Sequence, residues 1–468
     1  MRSLATTLLL AITALASDAR TFTDSHGRTL EAEIVAYDGG ETVKIRRDDG
    51  QVFDLPLDRL SAGDQAYVQS WLEAKSAPVS ADDIDRLNQL FGAELFADGN
   101  LWDDAPDDVA QRLGWPQESK TATQASYRIY HQPDDRLLGA RPYTSVLHVE
   151  DGKVDTISII FANKGDSVGS DVFDIKAATK IVEDAIKQDG ETISDRLGQL
   201  GESEQLTTAT GRNMKERLQI WEWRGHTFTL AVQDGEYVTV RVMRPELAAN
   251  RGRPERIAST TLRDRAKANV ETRANRDVII TNIPMVNQGP KGYCVPATLE
   301  RVLRYMGVRA DMYLLAMAGQ TGVGGGTNVN QLIEGTEGYL KSAGREMESK
   351  KFKLKSRSVA KYIDAGQPIL WTLYSTREFN DIANAITQER AGYPSIDAWE
   401  KVLKDKLRSQ EELQPDIETG HICMIIGYNP ETDEIAVSDS WGPHYAERWI
   451  PAELAENVSQ GGFWIVDF

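Results

Sequence analysis

Cysteine is scarce in this sequence of 468 residues, because only Cys294 and Cys423 occur. Small secreted domains that are held together by disulfides need several bridges at close spacing, so two thiols exclude a disulfide framework. Basic residues are also in deficit: 53 Lys and Arg stand against 71 Asp and Glu, which gives a formal net charge of -18. A surface this acidic repels phosphate backbones, so we expect no nucleic-acid partner.

A long apolar run is missing as well. The run from Leu4 to Ala16 is shorter than the roughly 20 residues of a spanning helix, and no later segment is long and apolar enough. Arg2 precedes the run and small residues suited to cleavage follow it, which predicts a signal peptide over residues 1–19. We therefore expect an exported protein, periplasmic or extracellular, without a stable membrane anchor. An uncleaved anchor is the alternative.

The overall composition is that of a soluble globular protein. Apolar residues make up 41% of the chain and charged residues 26%. A chain of this length exceeds what one hydrophobic core usually serves, so two or three domains are expected. Runs typical of strands and of helices both occur, which predicts an α+β multidomain protein.

Residues 20–72 alternate short strand-like runs with turn signals, which predicts a small antiparallel barrel or meander. Ser61 with an acid at Asp64 predicts the start of a helix behind it. The run from Arg20 to Glu33, with the later Leu-Pro-Leu-Asp-Arg-Leu-Ser, resembles the Sla-one homology domain, an SH3-like β-barrel. The resemblance implies that this segment binds a short peptide, a protein or a surface.

Two further segments lie between this barrel and the last domain. Residues 81–244 predict a middle α+β domain of unknown role, with helices on an antiparallel sheet. Trp221, Trp223 and Phe228 fall on its predicted strands, where aromatic side chains pack against each other across strands; a ligand groove is the alternative. Residues 245–277 are polar and locally basic, which predicts a basic linker, with a cleavable connection as the alternative.

Cys294 stands at the predicted start of a helix. Leu299, Val302 and Leu303 repeat at helical spacing, and Pro296 fits the first turn, where its missing N–H costs nothing. The free amides and the dipole of a helix N-terminus favour a thiolate, which is the nucleophilic form of cysteine. Cys294 is therefore the candidate nucleophile. Cys423 lies on a strand-like run and is expected to be a buried small hydrophobe.

His421 and Asp439 are the candidate base and its orienter. They lie on two strand-like runs joined by a turn, and a hairpin centred on Pro430 places His421 directly opposite Asp439. A slip of one residue would send the two side chains to opposite faces, so the predicted contact depends on this register. Gln288 is the candidate oxyanion donor, beside the backbone N–H of Cys294.

This ordered set resembles the papain-like cysteine peptidases. Gln288, Cys294, His421 and Asp439 match the functional positions of that family, and Trp441 in Ser-Trp-Gly matches the tryptophan that shields its base. Val295 in place of tryptophan, an aspartate in place of asparagine, and the Gly-Thr and Gly-His pairs are more similar to the bacterial branch of bacteriocin-processing, double-glycine leader peptidases. The resemblance implies a papain-like fold over residues 278–468.

Together these features predict a secreted cysteine hydrolase that acts on peptide or protein substrates through an acyl-enzyme. A transglutaminase- or amidase-type acyl transferase is one alternative, and a binding scaffold with a vestigial peptidase fold is another. We expect no cofactor, because the Gly322–Gly326 loop lacks the Lys-Ser/Thr of a phosphate-binding loop. We expect no metal, because the cysteines and histidines lack ligand spacing.

Overall fold

The computed structural model describes residues 20–47, 51–76, 79–169, 172, 174–211, 214–250 and 256–468. Over these residues the chain forms three sheets, which we call the N-terminal, middle and C-terminal sheets. The predicted signal peptide lies outside the described residues. None of the helices within those ranges has the length and the apolar character needed to cross a membrane.

The N-terminal sheet is an antiparallel meander with the strand order β1-β2-β3-β4. Its elements are β1 (Arg20–Thr23), β2 (Thr29–Ala36), β3 (Thr42–Arg47), β4 (Val52–Pro56) and the helix α1 (Ala62–Ser76). Alternate strand residues such as Ile34 and Val43 are buried against Val68 of α1. The Asp64 carboxylate accepts hydrogen bonds from the Thr23 amide and the Ser61 hydroxyl, each at 2.8 Å, and so ties α1 to β1. The interpretation of this unit as an SH3-like barrel stays a prediction.

The middle sheet has eight antiparallel strands in the order β5-β6-β7-β8-β12-β11-β10-β9. Its strands are β5 (Gln117–Lys120), β6 (Gln124–Tyr130), β7 (Thr144–Glu150), β8 (Lys153–Asn163), β9 (Glu204–Gly211), β10 (Met214–Trp223), β11 (His226–Gln233) and β12 (Tyr237–Met243). Three helices pack on one face: α2 (Ala81–Phe91), α3 (Pro106–Leu113) and α4 (Ile175–Leu197). The other face packs against the C-terminal unit, where Ile220 and Tyr237 contact Tyr293 and Met312.

The three aromatic residues singled out in the sequence are core residues of this middle unit. Trp221 pairs directly with Phe228 across β10 and β11. Trp221, Trp223 and Phe228 are all buried, and the Trp223 ring lies 5.7 Å from that of Phe96. They stabilise the sheet by packing.

The C-terminal sheet also has eight strands, with the path β13-β14-β17-β16-β20-β15 and with β18 and β19 added beside β17. Its strands are β13 (Val270–Thr272), β14 (Val278–Ile280), β15 (Met347–Lys350), β16 (Ile369–Tyr374), β17 (Gly420–Asn429), β18 (Glu434–Ser438), β19 (Arg448–Pro451) and β20 (Ser459–Val466). Helix α5 (Pro245–Ala249) contacts β2 and β11. The helices of the C-terminal part are α6 (Ser259–Ala268), α7 (Cys294–Tyr305), α8 (Met312–Ala318), α9 (Val329–Ser342), α10 (Ser356–Ile363), α11 (Arg377–Arg390), α12 (Ile396–Ser409) and α13 (Ala452–Asn457).

Strand β17 separates two layers of the C-terminal core. Ile422 and Met424 pack with α7 on one face, while Cys423 and Ile425 pack on the other face with α10 and α11. This alternation follows the two-residue period of a strand that is buried on both sides. Mixed helices and sheets of this kind make the protein an α+β multidomain chain.

The segment predicted as a basic linker carries structure where it is described. Leu262 and Ala266 of α6 are buried, and β13 pairs with β14 in the C-terminal sheet. The buried Asp277 receives two hydrogen bonds from Arg390, at 2.8 and 3.0 Å. Residues 259–277 therefore pack as part of the C-terminal unit. Their polar composition does not indicate this packing.

The predicted register of the β17–β18 hairpin is wrong. That register pairs residue 424 with 436, whereas Met424 pairs with Ser438 and Gly427 pairs with Ala436. The turn lies further along the chain because Asn429 Oδ1 accepts from the amide of Glu431 at 2.9 Å and caps the loop. A bulge between Ile425 and Gly427 then reduces the shift of the observed pairing relative to the predicted one from three residues to two. Because the final offset is even, His421 and Asp439 still lie on one face, as diagonal rather than direct neighbours.

Candidate active site

Helix α7 begins at Cys294 and packs against β17. The helix is fixed on the sheet by Thr298, whose hydroxyl lies 3.4 Å from the Ile422 carbonyl and 3.0 Å from the Ser440 hydroxyl. Arg301, one turn further on, donates to the Ser438 hydroxyl at 2.6 Å. These polar contacts bind α7 to both strands of the hairpin, so the helix N-terminus lies beside His421.

Cys294 is partly exposed, and its thiol interacts with the His421 ring. Burial acts to raise the pKa of Cys294. The His421 hydrogen bond and charge, with backbone contacts at Ile422 and Val295, outweigh burial and hold this pKa below the ordinary 9.0. The thiolate is thus favoured, as expected at a helix N-terminus that faces an imidazole.

His421 links the thiol to an acid. Its Nε2 lies 2.9 Å from Asp439 Oδ1, which leaves Nδ1 for Cys294. Burial acts to lower the pKa of His421. The effects of Asp439 and Cys294 are larger and opposite, and they raise this pKa to about 9. The Trp441 ring stacks on the imidazole with centroids 4.7 Å apart. Trp441 therefore covers one face of the base.

Asp439 has a second buried partner that the sequence did not reveal. Arg448 Nη2 donates to Asp439 Oδ2 at 2.6 Å, and both side chains are buried. Burial acts to raise the pKa of Asp439, but the His421 hydrogen bond and the Arg448 charge lower it, so the carboxylate stays ionised. Arg448 is itself oriented by Asn380, at 2.9 Å, and Asn384, at 3.3 Å, on α11. A single basic residue at the start of an apolar strand was the only signal.

Gln288 lies on the segment 287–293, which leads into Cys294 and which we call the nucleophile loop. Its backbone N–H donates to the Ser440 carbonyl at 2.8 Å, so Gln288 lies beside the residues that follow Asp439. Its Oε1 is buried, and no described residue bonds to it. The backbone of Gln288 is therefore fixed, whereas its side-chain Oε1 makes no hydrogen bond to a described residue that would have to break if the side-chain amide turned.

The remaining sequence candidates have structural roles. Cys423 is 1% exposed, and burial holds its pKa well above the ordinary value. The Gly322–Gly326 loop lies against the nucleophile loop, since Gly326 N–H donates to the Gly292 carbonyl at 3.0 Å. A Cβ atom on Gly325 would lie 2.5 Å from the Gly292 nitrogen, so this approach requires glycine. Among the described residues, no group of three His, Cys, Asp or Glu side chains is arranged to hold a metal.

A cysteine, a histidine and an aspartate near one another are the groups that thiol-based acyl transfer uses. The comparison with known families agrees with this class. Residues 280–465 match the Peptidase_C39 like family, a range that contains Gln288, Cys294, His421 and Asp439. The match supports a papain-like cysteine peptidase domain in this part of the chain. No curated protein matches the chain.

Proposed function

We propose that the protein is an exported cysteine peptidase that acts through Cys294, His421 and Asp439, with Gln288 as an oxyanion donor. The observation that carries this proposal is the two-sided contact of His421. The ring nitrogen Nε2 lies 2.9 Å from Asp439 Oδ1, and the interaction of the ring with the Cys294 thiol lowers the pKa of that thiol. The lowered pKa of Cys294 and the raised pKa of His421 favour a thiolate–imidazolium pair.

In this reaction the Cys294 thiolate attacks the carbonyl carbon of a peptide bond. The carbonyl oxygen becomes an oxyanion, which the Cys294 backbone N–H and the Gln288 side-chain amide stabilise. The His421 imidazolium gives its proton to the leaving amine as the C–N bond breaks, and a thioester remains. His421 then takes a proton from water, and the resulting hydroxide attacks the thioester and displaces the Cys294 thiolate, so the acid product leaves and the thiolate–imidazolium pair is restored.

The pKa shifts of Cys294 and His421 predict a bell-shaped pH profile for hydrolysis. Activity is expected to rise as pH passes the lowered pKa of Cys294, because the thiolate forms there. It is expected to fall as pH passes about 9, because His421 then loses the proton that the leaving group needs. Alkylation by iodoacetamide needs only the thiolate, so its rate should rise with pH and not fall near that value. A falling limb in both profiles would contradict these roles.

Thiol labelling tests the proposal without a known substrate. Iodoacetamide at pH near 6 is expected to label Cys294 faster than Cys423 by about 100-fold or more, because a buried neutral thiol is inert. Peptide mapping by mass spectrometry measures the two rates in the same molecule, so Cys423 is the internal control. Equal rates at both cysteines would end the enzyme interpretation.

Export to a periplasm or the cell exterior and peptide or surface binding by the N-terminal unit complete the proposal. Sequencing the N-terminus of the mature protein tests the first point, and we expect cleavage within residues 14–20. A peptide-array measurement on the full chain tests the second.

A further inference from the structure

The nucleophile loop is held by the middle unit as well as by its own sheet. The Asn287 carbonyl accepts from the Tyr130 hydroxyl at 2.6 Å, and the next amide, that of Gln288, donates to Ser440 at 2.8 Å. These two groups are the ends of one planar peptide unit. The middle unit and the C-terminal unit therefore grip the same peptide from opposite ends, directly before the Gln288 side chain.

A second contact fixes the backbone N–H of Asn287. Glu118 Oε1 accepts a hydrogen bond from this backbone N–H at 2.6 Å. The Glu118 carboxylate is itself held by Arg128, at 2.7 Å, and by the Ser126 hydroxyl, at 3.0 Å. All three side chains are buried. The acceptor is therefore ordered by the middle unit, independently of the loop that it binds.

The Tyr130 ring also sets the path of the loop. A Cβ atom on Gly289 would lie 2.8 Å from this ring, and Gly289 has a φ of +73°. Any other residue would be displaced by the ring and strained at this angle. Gly289 thus lets the backbone pass directly over Tyr130, one residue beyond Gln288.

The far end of the loop is anchored in the same way. The hydroxyl of Tyr293 donates to Asn163 Oδ1 at 2.8 Å and accepts from the Gly165 amide at 3.0 Å. A Cβ atom on Gly165 would lie 2.2 Å from that hydroxyl. Tyr293 directly precedes Cys294, so contacts with the middle unit bracket the loop at both ends.

We propose that the middle unit is a built-in positioning element of the active site, and that Tyr130 and Glu118 are positioning residues that aim Gln288 at the oxyanion. This inference rests on the proposed function. It assigns a role to a domain that has no chemistry of its own in the site. It also means that separating the C-terminal unit from the middle unit would disable the site rather than release it.

Two reactions of Cys294 separate positioning of the oxyanion donor from general damage. Acylation by p-nitrophenyl acetate passes through a tetrahedral oxyanion, so it depends on Gln288. Alkylation by iodoacetamide occurs at a saturated carbon and forms no oxyanion, so it depends on the thiolate alone. A variant with a misplaced donor slows the first reaction and spares the second.

Tyr130→Phe is the test, because it removes one hydroxyl and keeps the ring. We expect acylation by p-nitrophenyl acetate to slow by about 10-fold, less than the two to three orders of magnitude typical of losing an oxyanion donor itself. The rate and pH dependence of alkylation should be unchanged. In a Gln288→Ala background the same substitution should have no further effect, because residues that act through one group are not additive.

Tyr127→Phe is the matched control. Tyr127 lies on the same strand and its hydroxyl bonds Asp107 within the middle unit, so acylation should keep its rate. Equal slowing of acylation and alkylation in Tyr130→Phe would overturn the inference, as would full additivity with Gln288→Ala or an unchanged acylation rate. If the unsubstituted protein were not acylated at Cys294, the proposed function itself would fail, and the inference with it.

Discussion

Cys294→Ala is expected to abolish hydrolysis, with a loss of about 10⁴-fold or more, because no other described thiol can replace the nucleophile. Cys294 is partly exposed, so deleting its sulfur leaves no large cavity. The fold should therefore survive, and thermal unfolding should confirm it. Hydrolysis of p-nitrophenyl acetate and of labelled casein measures the loss.

The same variant should also change the base. Cys294 contributes a hydrogen bond and a charge that help to raise the pKa of His421 to about 9. Without the thiolate, this pKa should fall, and titration of the imidazole by NMR measures it. Retained hydrolysis, or a His421 pKa that does not fall, would contradict a thiolate–imidazolium pair.

Cys423→Ala is the control for this result. Cys423 lies two residues from His421, but its side chain is 1% exposed and faces Trp371 and Ile425 in the core. We expect some loss of stability, because a buried sulfur is removed, and near-normal hydrolysis. An equal loss of activity in both variants would mean that packing under β17, rather than thiol chemistry, sets the rate.

The candidate residues of the site could be selected from the sequence because their residue types are rare. The chain has two cysteines and six histidines, so few combinations of nucleophile and base exist. The pairing of His421 with Asp439 followed from strand parity. Its detail did not, since a side-chain cap at Asn429 and a one-residue bulge set the register, and the hydrophobic pattern encodes neither.

Contacts between distant segments were beyond the reach of the sequence. Glu118 and Tyr130 bond the nucleophile loop across 169 and 157 residues, and nothing local marks them as its partners. Arg448 is one of 53 basic residues, and only the folding of β19 beside β18 brings it to Asp439. The same applies to residues 259–277, whose buried side chains are separated by exposed polar ones. Local patterns predict elements, whereas charge pairing in a core depends on the completed fold.

Arg448 gives the second large effect. Arg448→Met keeps a long unbranched side chain but removes the charge that faces Asp439 Oδ2 at 2.6 Å. Breaking this buried ion pair leaves the Asp439 carboxylate with His421 as its remaining charged partner, so the free energy of unfolding should fall by up to roughly 3–5 kcal/mol at neutral pH. Hydrolysis should fall by about 100-fold, because His421 depends on Asp439 for its orientation. Urea unfolding and activity measure the two losses.

The pH dependence of this destabilisation is a sharper test. In the unsubstituted protein the pKa of Asp439 lies below its ordinary 3.8, so the ionised pair contributes fully at all pH values well above that. Without Arg448, His421 is the remaining charged partner of the buried carboxylate, so the Asp439 pKa should rise relative to that in the unsubstituted protein. The stability difference between the variant and the unsubstituted protein should therefore become smaller as pH falls below neutral.

Arg390→Met provides a comparison, because the Arg390 side chain is 7% exposed against 2% for Arg448. Arg390 pairs with Asp277 and Glu434, and neither of these acids touches His421. It should lose comparable stability while the alkylation of Cys294 keeps its pH profile, whereas Arg448→Met should shift that profile because the imidazole loses its fixed partner. If the two variants changed thiol reactivity equally, Arg448 would act through general stability alone. If only Arg448→Met does so, the guanidinium is a positioning group for the acid, and the chain of contacts from Cys294 extends through His421 and Asp439 to α11.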